Sequence, residues 1–183
     1  MTTATPGSSA VTAWRHARAV GLLPFTNTVV IPGALLTLWP PPVRAVDAAS
    51  VALLLAGSLL MLCGIALVAH TIGLFVRLGR GTLAPWDPTR ELVVAGAYRY
   101  SRNPMKAGLF LLLAGEAAVF RSPALAAWLV SFALVNIVYI RLHEEPGLLA
   151  RFGDRYRDYC ARVPRWWPTA RGLRNHATEA TTP

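Results

Sequence analysis

Four apolar segments alternate with polar segments along the chain, at residues 20–39, 48–76, 104–120 and 123–141. The first two carry no Asp, Glu, Lys or Arg and are long enough, at about 20 residues or more, to cross a bilayer as helices. The third is short for a span, because 17 helical residues extend about 25 Å at ~1.5 Å per residue. The pattern predicts an all-α, polytopic membrane protein with about four transmembrane helices.

The residues at the segment ends predict where the third and fourth helices begin. Asn103 and Ser122 are residue types that cap helices, and each precedes a proline that is suited to the first helical position. Only Arg121 and Ser122 separate the two segments, so they are expected to form a tight helical hairpin.

A different periodicity marks the end of the chain. Apolar residues recur every three or four positions through residues 146–163, with Arg and Asp between them, which predicts a C-terminal amphipathic helix. It would lie on the membrane surface or cover the preceding loop, residues 77–103. We expect one membrane domain over residues 15–168, between disordered tails at 1–14 and 169–183.

Composition and charge support this class. The chain has 183 residues, 54% of them hydrophobic and 15% charged, with a mean hydropathy of +0.43, which excludes disorder. The net charge is +9, and 16 of the 18 Lys and Arg residues fall on one side of a four-span topology. The positive-inside rule then places both termini and loop 77–103 in the cytoplasm. This topology explains the positive charge, so nucleic acid is not an expected partner. The Arg- and Ala-rich composition suggests a bacterial protein of the plasma membrane, with membrane lipids as its partners.

Adjacent carboxylates follow the fourth segment at Glu144 and Glu145. They repel each other, so a cation should balance them: Arg141, an arginine of the tail or a bound positive ligand. The alternative is a solvated helix end with an ion pair between Arg141 and Glu145, four residues apart.

Other polar residues leave alternatives open. Gly79-Arg80-Gly81 is a glycine helix cap or a place where a ligand approaches the backbone closely. Glu116 lies inside the third apolar segment, where a carboxylate needs a partner or a wet cavity, and His70 is a candidate partner. The cysteines and His143 predict neither a disulfide nor a metal site.

Several motifs in one order carry a resemblance to a known family. GAYRYSRNPMKAG, RLHEEP and RFGDRYRDYCARVPRWWP follow each other with a short helical hairpin between the first two. In this respect residues 79–168 resemble the isoprenylcysteine carboxyl methyltransferases and the related phospholipid methyltransferases. The resemblance implies an integral-membrane enzyme that binds S-adenosyl-L-methionine at the cytosolic membrane face, between loop 77–103 and the segment after the fourth span.

The resemblance also implies roles for individual residues. Arg141 and Glu145 are implied as catalytic. The residues implied to bind the cofactor are Gly79, Arg80, Gly81, Tyr98, Arg102, Asn103, Pro104, Met105, Glu144 and Glu145. Asn103 stands where the prenylcysteine enzymes have His, and Lys106 where they often have Tyr.

The implied reaction is methyl transfer to a hydrophobic or lipid-linked acceptor. A carboxylate such as isoprenylcysteine would be held by Arg141, whereas a phospholipid amine would lose its proton to Glu144 or Glu145. Thiols remain open as acceptors. The alternatives are an NADPH-dependent membrane reductase of the sterol-reductase type and a non-enzymatic membrane scaffold. Cofactor binding separates these three possibilities.

Overall fold

The computed structural model describes residues 21–43, 47–78 and 91–166, and all regular structure in these ranges is helical. Helix α1 has a π-helical part, Gly21–Val30, and an α-helical part, Ile31–Leu38. The following helices are α2 (Ala48–Leu78), a 3-10 turn (Gly96–Arg99), α3 (Pro104–Val119), α4 and α5 (Asp154–Arg162). Helix α4 runs through Pro123–Tyr139, the π-helical Ile140–Glu144 and Glu145–Phe152.

Two helices are long and apolar enough to cross a membrane, over Ala48–Phe75 and Pro123–Phe152. Only 11% and 17% of their most apolar stretches are buried in the protein, so their outward faces suit lipid better than the core of a soluble domain. Helix α4 is 30 residues long, or about 45 Å at ~1.5 Å per residue, against a hydrocarbon core of about 30 Å. The charged end that begins at Arg141 therefore extends beyond the apolar part.

The hairpin between α3 and α4 begins as the sequence predicts. The Ser122 hydroxyl accepts a hydrogen bond from the Leu125 N–H at 3.4 Å, and Pro123 occupies the first turn. Asn103 occupies the N-cap position of α3 and Pro104 begins the helix, as predicted, but the Asn103 side chain makes no capping hydrogen bond. It is used elsewhere, as described below.

Glycines bring α2 and α3 into close antiparallel contact. A methyl group on Gly64 would lie 2.7 Å from the Gly108 carbonyl oxygen, and one on Gly115 would lie 2.5 Å from that of Gly57. Small residues at such positions allow two backbones to approach each other. The contact fixes the N-terminal end of α3 beside the C-terminal half of α2.

The antiparallel arrangement separates His70 from Glu116, so His70 is not the partner of this carboxylate among the alternatives left open by the sequence. His70 packs against the 3-10 turn, where a Cβ on Gly96 would lie 2.7 Å from its Nε2 atom. Glu116 lies toward the other end of α3, and its buried Oε2 has no hydrogen-bond partner in the described part of the chain.

The C-terminal segment at residues 146–163 does not form the single amphipathic helix that the sequence predicts. Its first part continues α4, and Gly153, with φ of +54°, ends that helix before α5 begins. This positive φ is readily adopted only by glycine. Tyr156, Tyr159 and Val163 form a buried cluster that packs against Leu92 of the loop. The described residues of the C-terminal segment therefore cover the end of the loop, residues 91–103, in agreement with one of the two expected placements.

The glycine contact gives a test of the helix packing. Gly64→Ala would place a methyl group 2.7 Å from the Gly108 oxygen and 2.8 Å from the Leu112 nitrogen, which are backbone atoms that cannot turn aside. We expect a loss of about 1–3 kcal/mol in the free energy of unfolding, as for overpacked cores. Gly73→Ala is the matched control, because no atom lies within 4 Å of the added methyl group. Thermal unfolding in detergent compares them, and equal midpoints would contradict the close contact.

Candidate functional site

An ion-pair cluster joins three segments of the chain at Glu145. Arg165 binds this carboxylate with two hydrogen bonds, from Nε to Oε1 at 2.8 Å and from Nη2 to Oε2 at 2.7 Å. Arg102 donates from Nη1 to Oε1 at 2.9 Å. The Arg102 and Glu145 side chains are 13% and 18% exposed, so the pair is largely withdrawn from solvent. The cluster connects the turn before α3 (residues 96–103), the C-terminal part of α4 and the tail that follows α5 (residues 163–166).

Backbone groups hold the tail against the same turn. The Arg102 N–H donates to the Pro164 carbonyl at 3.0 Å. The Arg165 carbonyl accepts from Asn103 Nδ2 at 3.1 Å and from the Ser101 hydroxyl at 3.2 Å. Asn103 therefore holds the tail instead of capping α3.

Tyr98 is part of the packing beneath this cluster. Its ring meets Phe75 of α2 edge-on, with the ring centroids 5.4 Å apart, and its carbonyl accepts a hydrogen bond from the Tyr159 hydroxyl at 2.7 Å. Burial raises the pKa of both tyrosines, so the Tyr159 hydroxyl stays protonated and donates. Tyr98 thus supports the turn, and its hydroxyl is poorly suited to proton transfer.

The arginines keep Glu145 ionised. Burial acts to raise the pKa of this carboxyl, but the hydrogen bond from Arg165 and the positive charges of Arg102, Arg165 and Arg141 together hold it below its usual value. Both oxygens are already bound. A carboxylate in this state is a weak base for an incoming substrate.

Glu144 and Arg141 differ from Glu145 in their surroundings. Glu144 is half-buried, and within the described residues it has no hydrogen bond or ion pair. Arg141 is exposed and acts on Glu145 only through its field, so the alternative of an ion pair between these two residues is wrong. The expectation that an arginine of the tail balances the carboxylates is confirmed for Glu145 by Arg165. Glu144 is therefore the carboxylate with capacity to bind a ligand.

The residues present fit a ligand with both positive and negative groups. The buried Nε of Arg102 has no hydrogen-bond partner in the described ranges, so it can donate to a carboxylate. Glu144 can accept from an ammonium or hydroxyl group. Pro104 is buried at the start of α3, and Met105 beside it is half-buried. Gly79, Arg80 and Gly81 lie outside the described residues.

Sequence reasoning did not single out Arg165, Ser101 or Cys160 as members of this cluster. The Cys160 Sγ atom accepts a hydrogen bond from Arg102 Nη1 at 2.8 Å. The only available signal was the tail motif RVPRWWP, in which Pro164 before Arg165 indicates an extended segment. Nothing in the spacing indicates which of eight C-terminal arginines reaches Glu145.

Comparisons with known proteins find similar sequences over the middle part of the chain. The profile of the phospholipid methyltransferase family matches residues 52–155. Methanethiol S-methyltransferase 2 of Bradyrhizobium diazoefficiens is 38% identical over 74 residues, which cover 39% of this chain and 26% of that protein. The nickel-cobalt-cadmium resistance protein NccN of Alcaligenes xylosoxydans xylosoxydans is 35% identical over 89 residues, 48% of this chain and 41% of that protein. The matches span less than half the length of either relative, and no solved structure matches.

The Glu145 cluster gives a pH-dependent stability. A carboxyl whose pKa is lower in the folded than in the unfolded state adds stability above its unfolded pKa, and that stability is lost as the pH falls through the folded pKa. We expect Glu145→Gln to reduce the free energy of unfolding at pH 7 by roughly 1.5–3 kcal/mol.

Thermal unfolding between pH 7 and pH 3 measures this. The difference between wild type and Glu145→Gln should shrink below about pH 4.3, the ordinary glutamate pKa. Asp154→Asn is the control. It removes an ion pair with Arg157 in which the two side chains are 87% and 67% exposed, so it should have little effect on stability. A difference that does not change with pH would contradict an ionised Glu145.

Proposed function

This chain belongs to the phospholipid methyltransferase family, and we propose that it transfers a methyl group from S-adenosyl-L-methionine to a hydrophobic acceptor at the membrane face. The observation that carries the proposal is that, among the described residues, the Arg102 Nε–H before the start of α3 has no partner, while the carboxylate of Glu144, next to the Glu145 that Arg102 binds, is unpaired. S-adenosyl-L-methionine carries an amino-acid end with both charges, which these groups complement.

The proposed membrane arrangement has four spans. Helices α1 and α3 would cross with α2 and α4, although α3 extends only about 24 Å at ~1.5 Å per residue and would cross where the bilayer is thin. The Glu145 cluster then lies at the cytosolic face and Arg121 at the opposite face. Both termini would be cytoplasmic, in a bacterial plasma membrane, and residues 15–168 would form one domain.

The protein contributes binding and alignment, because the sulfonium methyl group is already activated for transfer. Arg102 would hold the cofactor carboxylate through its free Nε–H, and Glu144 its ammonium or a ribose hydroxyl. Glu145 keeps Arg102 and the tail in place. The tail residues Pro164 and Arg165 cover the turn and would exclude water from the bound donor.

The acceptor is proposed to be a carboxylate, a thiol or an amine on an apolar body. Arg141, exposed next to the site, can bind a carboxylate. The name of the Bradyrhizobium relative supports a thiol. If the acceptor is an amine, Glu144 is better suited than Glu145 to take its proton, since both Glu145 oxygens are bound.

Isothermal titration of the detergent-purified protein with S-adenosylhomocysteine tests the proposal. We expect binding to wild type, and in Glu144→Gln a dissociation constant about tenfold higher, because one charge-assisted hydrogen bond is lost. Asp158→Asn is the control, since this carboxylate lies on α5 and is exposed. The thermal midpoint of Glu144→Gln should equal that of wild type.

Titration with NADPH completes the experiment. Binding of NADPH without S-adenosylhomocysteine would indicate a reductase, and binding of neither would indicate a scaffold. Either result would overturn the methyltransferase proposal. Equal S-adenosylhomocysteine affinities of wild type and Glu144→Gln would overturn the role of Glu144 alone.

A further inference from the structure

A lysine in the first turn of α3, about one helical turn after Arg102, extends its side chain to α4. Lys106 is half-buried, and its Nζ donates to the Asn136 side-chain oxygen at 2.8 Å. The same Nζ lies 5.9 Å from the centre of the Tyr139 ring. Both contacts are with neutral groups, an amide and an aromatic face.

The partner of Lys106 is held in one orientation. Asn136 is 8% exposed, and its Nδ2 donates to the Phe132 carbonyl at 2.8 Å. This bond turns the amide oxygen toward Lys106. Asn136 therefore positions the ammonium but does not neutralise it.

No carboxylate of the described residues forms an ion pair with Lys106, whose Nζ contacts Asn136 and Tyr139. A charge within an apolar helix pair is unfavourable unless it faces a partner or a cavity, and such residues commonly serve binding. Lys106 thus has the capacity to bind an anion that this part of the chain does not supply.

The position of Lys106 relates it to the proposed cofactor groups. It follows Asn103 by three residues, which is about one turn of α3. On α4, Asn136, Ile140 and Glu144 recur every four residues, and all three are buried or half-buried, so they share the inward face. Eight residues along the helix separate Asn136 from Glu144 by about 12 Å at ~1.5 Å per residue. The free carboxylate and the uncompensated ammonium therefore lie on one face at different depths.

We propose that Lys106, positioned by Asn136 and Tyr139, binds the negative charge of the methyl acceptor, which is a thiolate or carboxylate on an apolar chain. The inference rests on the proposed methyl transfer and specifies the acceptor. The outward face of α4 beside this position is apolar and exposed, at Val135 and Val138, and provides a lipid-side surface for the apolar chain. A protonated amine would be repelled by the Lys106 ammonium, so this subsite disfavours amine acceptors.

The charge of Lys106 also affects the reactive form of a thiol acceptor. A neighbouring ammonium lowers a thiol pKa, so the S–H bond breaks and the proton passes to water before transfer. The thiolate sulfur then uses an electron pair to form a bond with the methyl carbon of the donor. At the same time the bond between this methyl carbon and the sulfonium sulfur breaks, and its electron pair stays on the departing sulfur. A carboxylate acceptor reacts in the same way without losing a proton.

The test uses the full chain in phosphatidylcholine nanodiscs with three acceptors of equal chain length: 1-dodecanethiol, dodecanoate and dodecylamine. Lys106→Gln should raise KM for the thiol and the carboxylate about tenfold, the effect of losing one charged hydrogen bond, and should leave dodecylamine unchanged or improved. Lys106→Arg should retain anion binding. Arg155→Gln, which removes an exposed charge from α5, is the control.

A binding measurement separates acceptor recognition from turnover. Titration of dodecanoate into the nanodiscs without a methyl donor should show the same tenfold loss of affinity in Lys106→Gln. Asn136→Asp is a second variant that retains the side-chain size and neutralises the Lys106 charge, and it should weaken dodecanoate binding with Lys106 still present. In 1-dodecanethiol turnover, the apparent pKa of the pH–rate profile should rise in Lys106→Gln.

Equal effects of Lys106→Gln on all three acceptors would overturn the inference. Methyl transfer to phosphatidylethanolamine in vesicles is measured as well. If Lys106→Gln reduced only this activity, Lys106 would be assigned to binding a lipid phosphate and the inference would be overturned. S-adenosylhomocysteine is titrated into every variant. Its failure to bind wild type contradicts the proposed function, whereas normal binding with unchanged acceptor preference contradicts only the role of Lys106.

Discussion

The Glu145 carboxylate determines how the site is assembled, because it is the point where three separate segments of the chain meet. Arg102 approaches from the turn before α3 and Arg165 from the tail, and both are charged donors to one largely buried acceptor. Removing the carboxylate would leave two arginines facing each other without compensation, which is more unfavourable than the loss of a single hydrogen bond. The tail, the turn and the end of α4 therefore hold their positions together.

That assembly depends in turn on the close contact of α2 and α3. The glycine pairs place α3 at one height along α2, and this height brings the Gly96–Arg99 turn against His70 and Phe75. A larger residue at Gly64 would move α3 and with it Arg102. Packing in the apolar part of the molecule thus controls the geometry of a charged site at its end.

The charged residues of α3 and α4 have separate tasks in the proposed reaction. Glu145 is saturated by arginines and acts on the architecture, whereas Glu144 is left to bind a positive or hydroxyl group of the methyl donor. Lys106 lies deeper, beside Asn136, where it would bind the acceptor. This separation along α4 would hold donor and acceptor at different depths, with the acceptor approached from the lipid.

The sequence by itself determined the helical class and the starts of α3 and α4, since apolar length, proline and serine act locally. It also supplied the family through ordered motifs. Only the tertiary structure decided which arginines bind Glu145, that Asn103 holds the tail instead of capping a helix, and that His70 and Glu116 lie apart. These contacts join residues 20 to 62 positions apart or depend on the register of two packed helices, and local patterns carry no information on either.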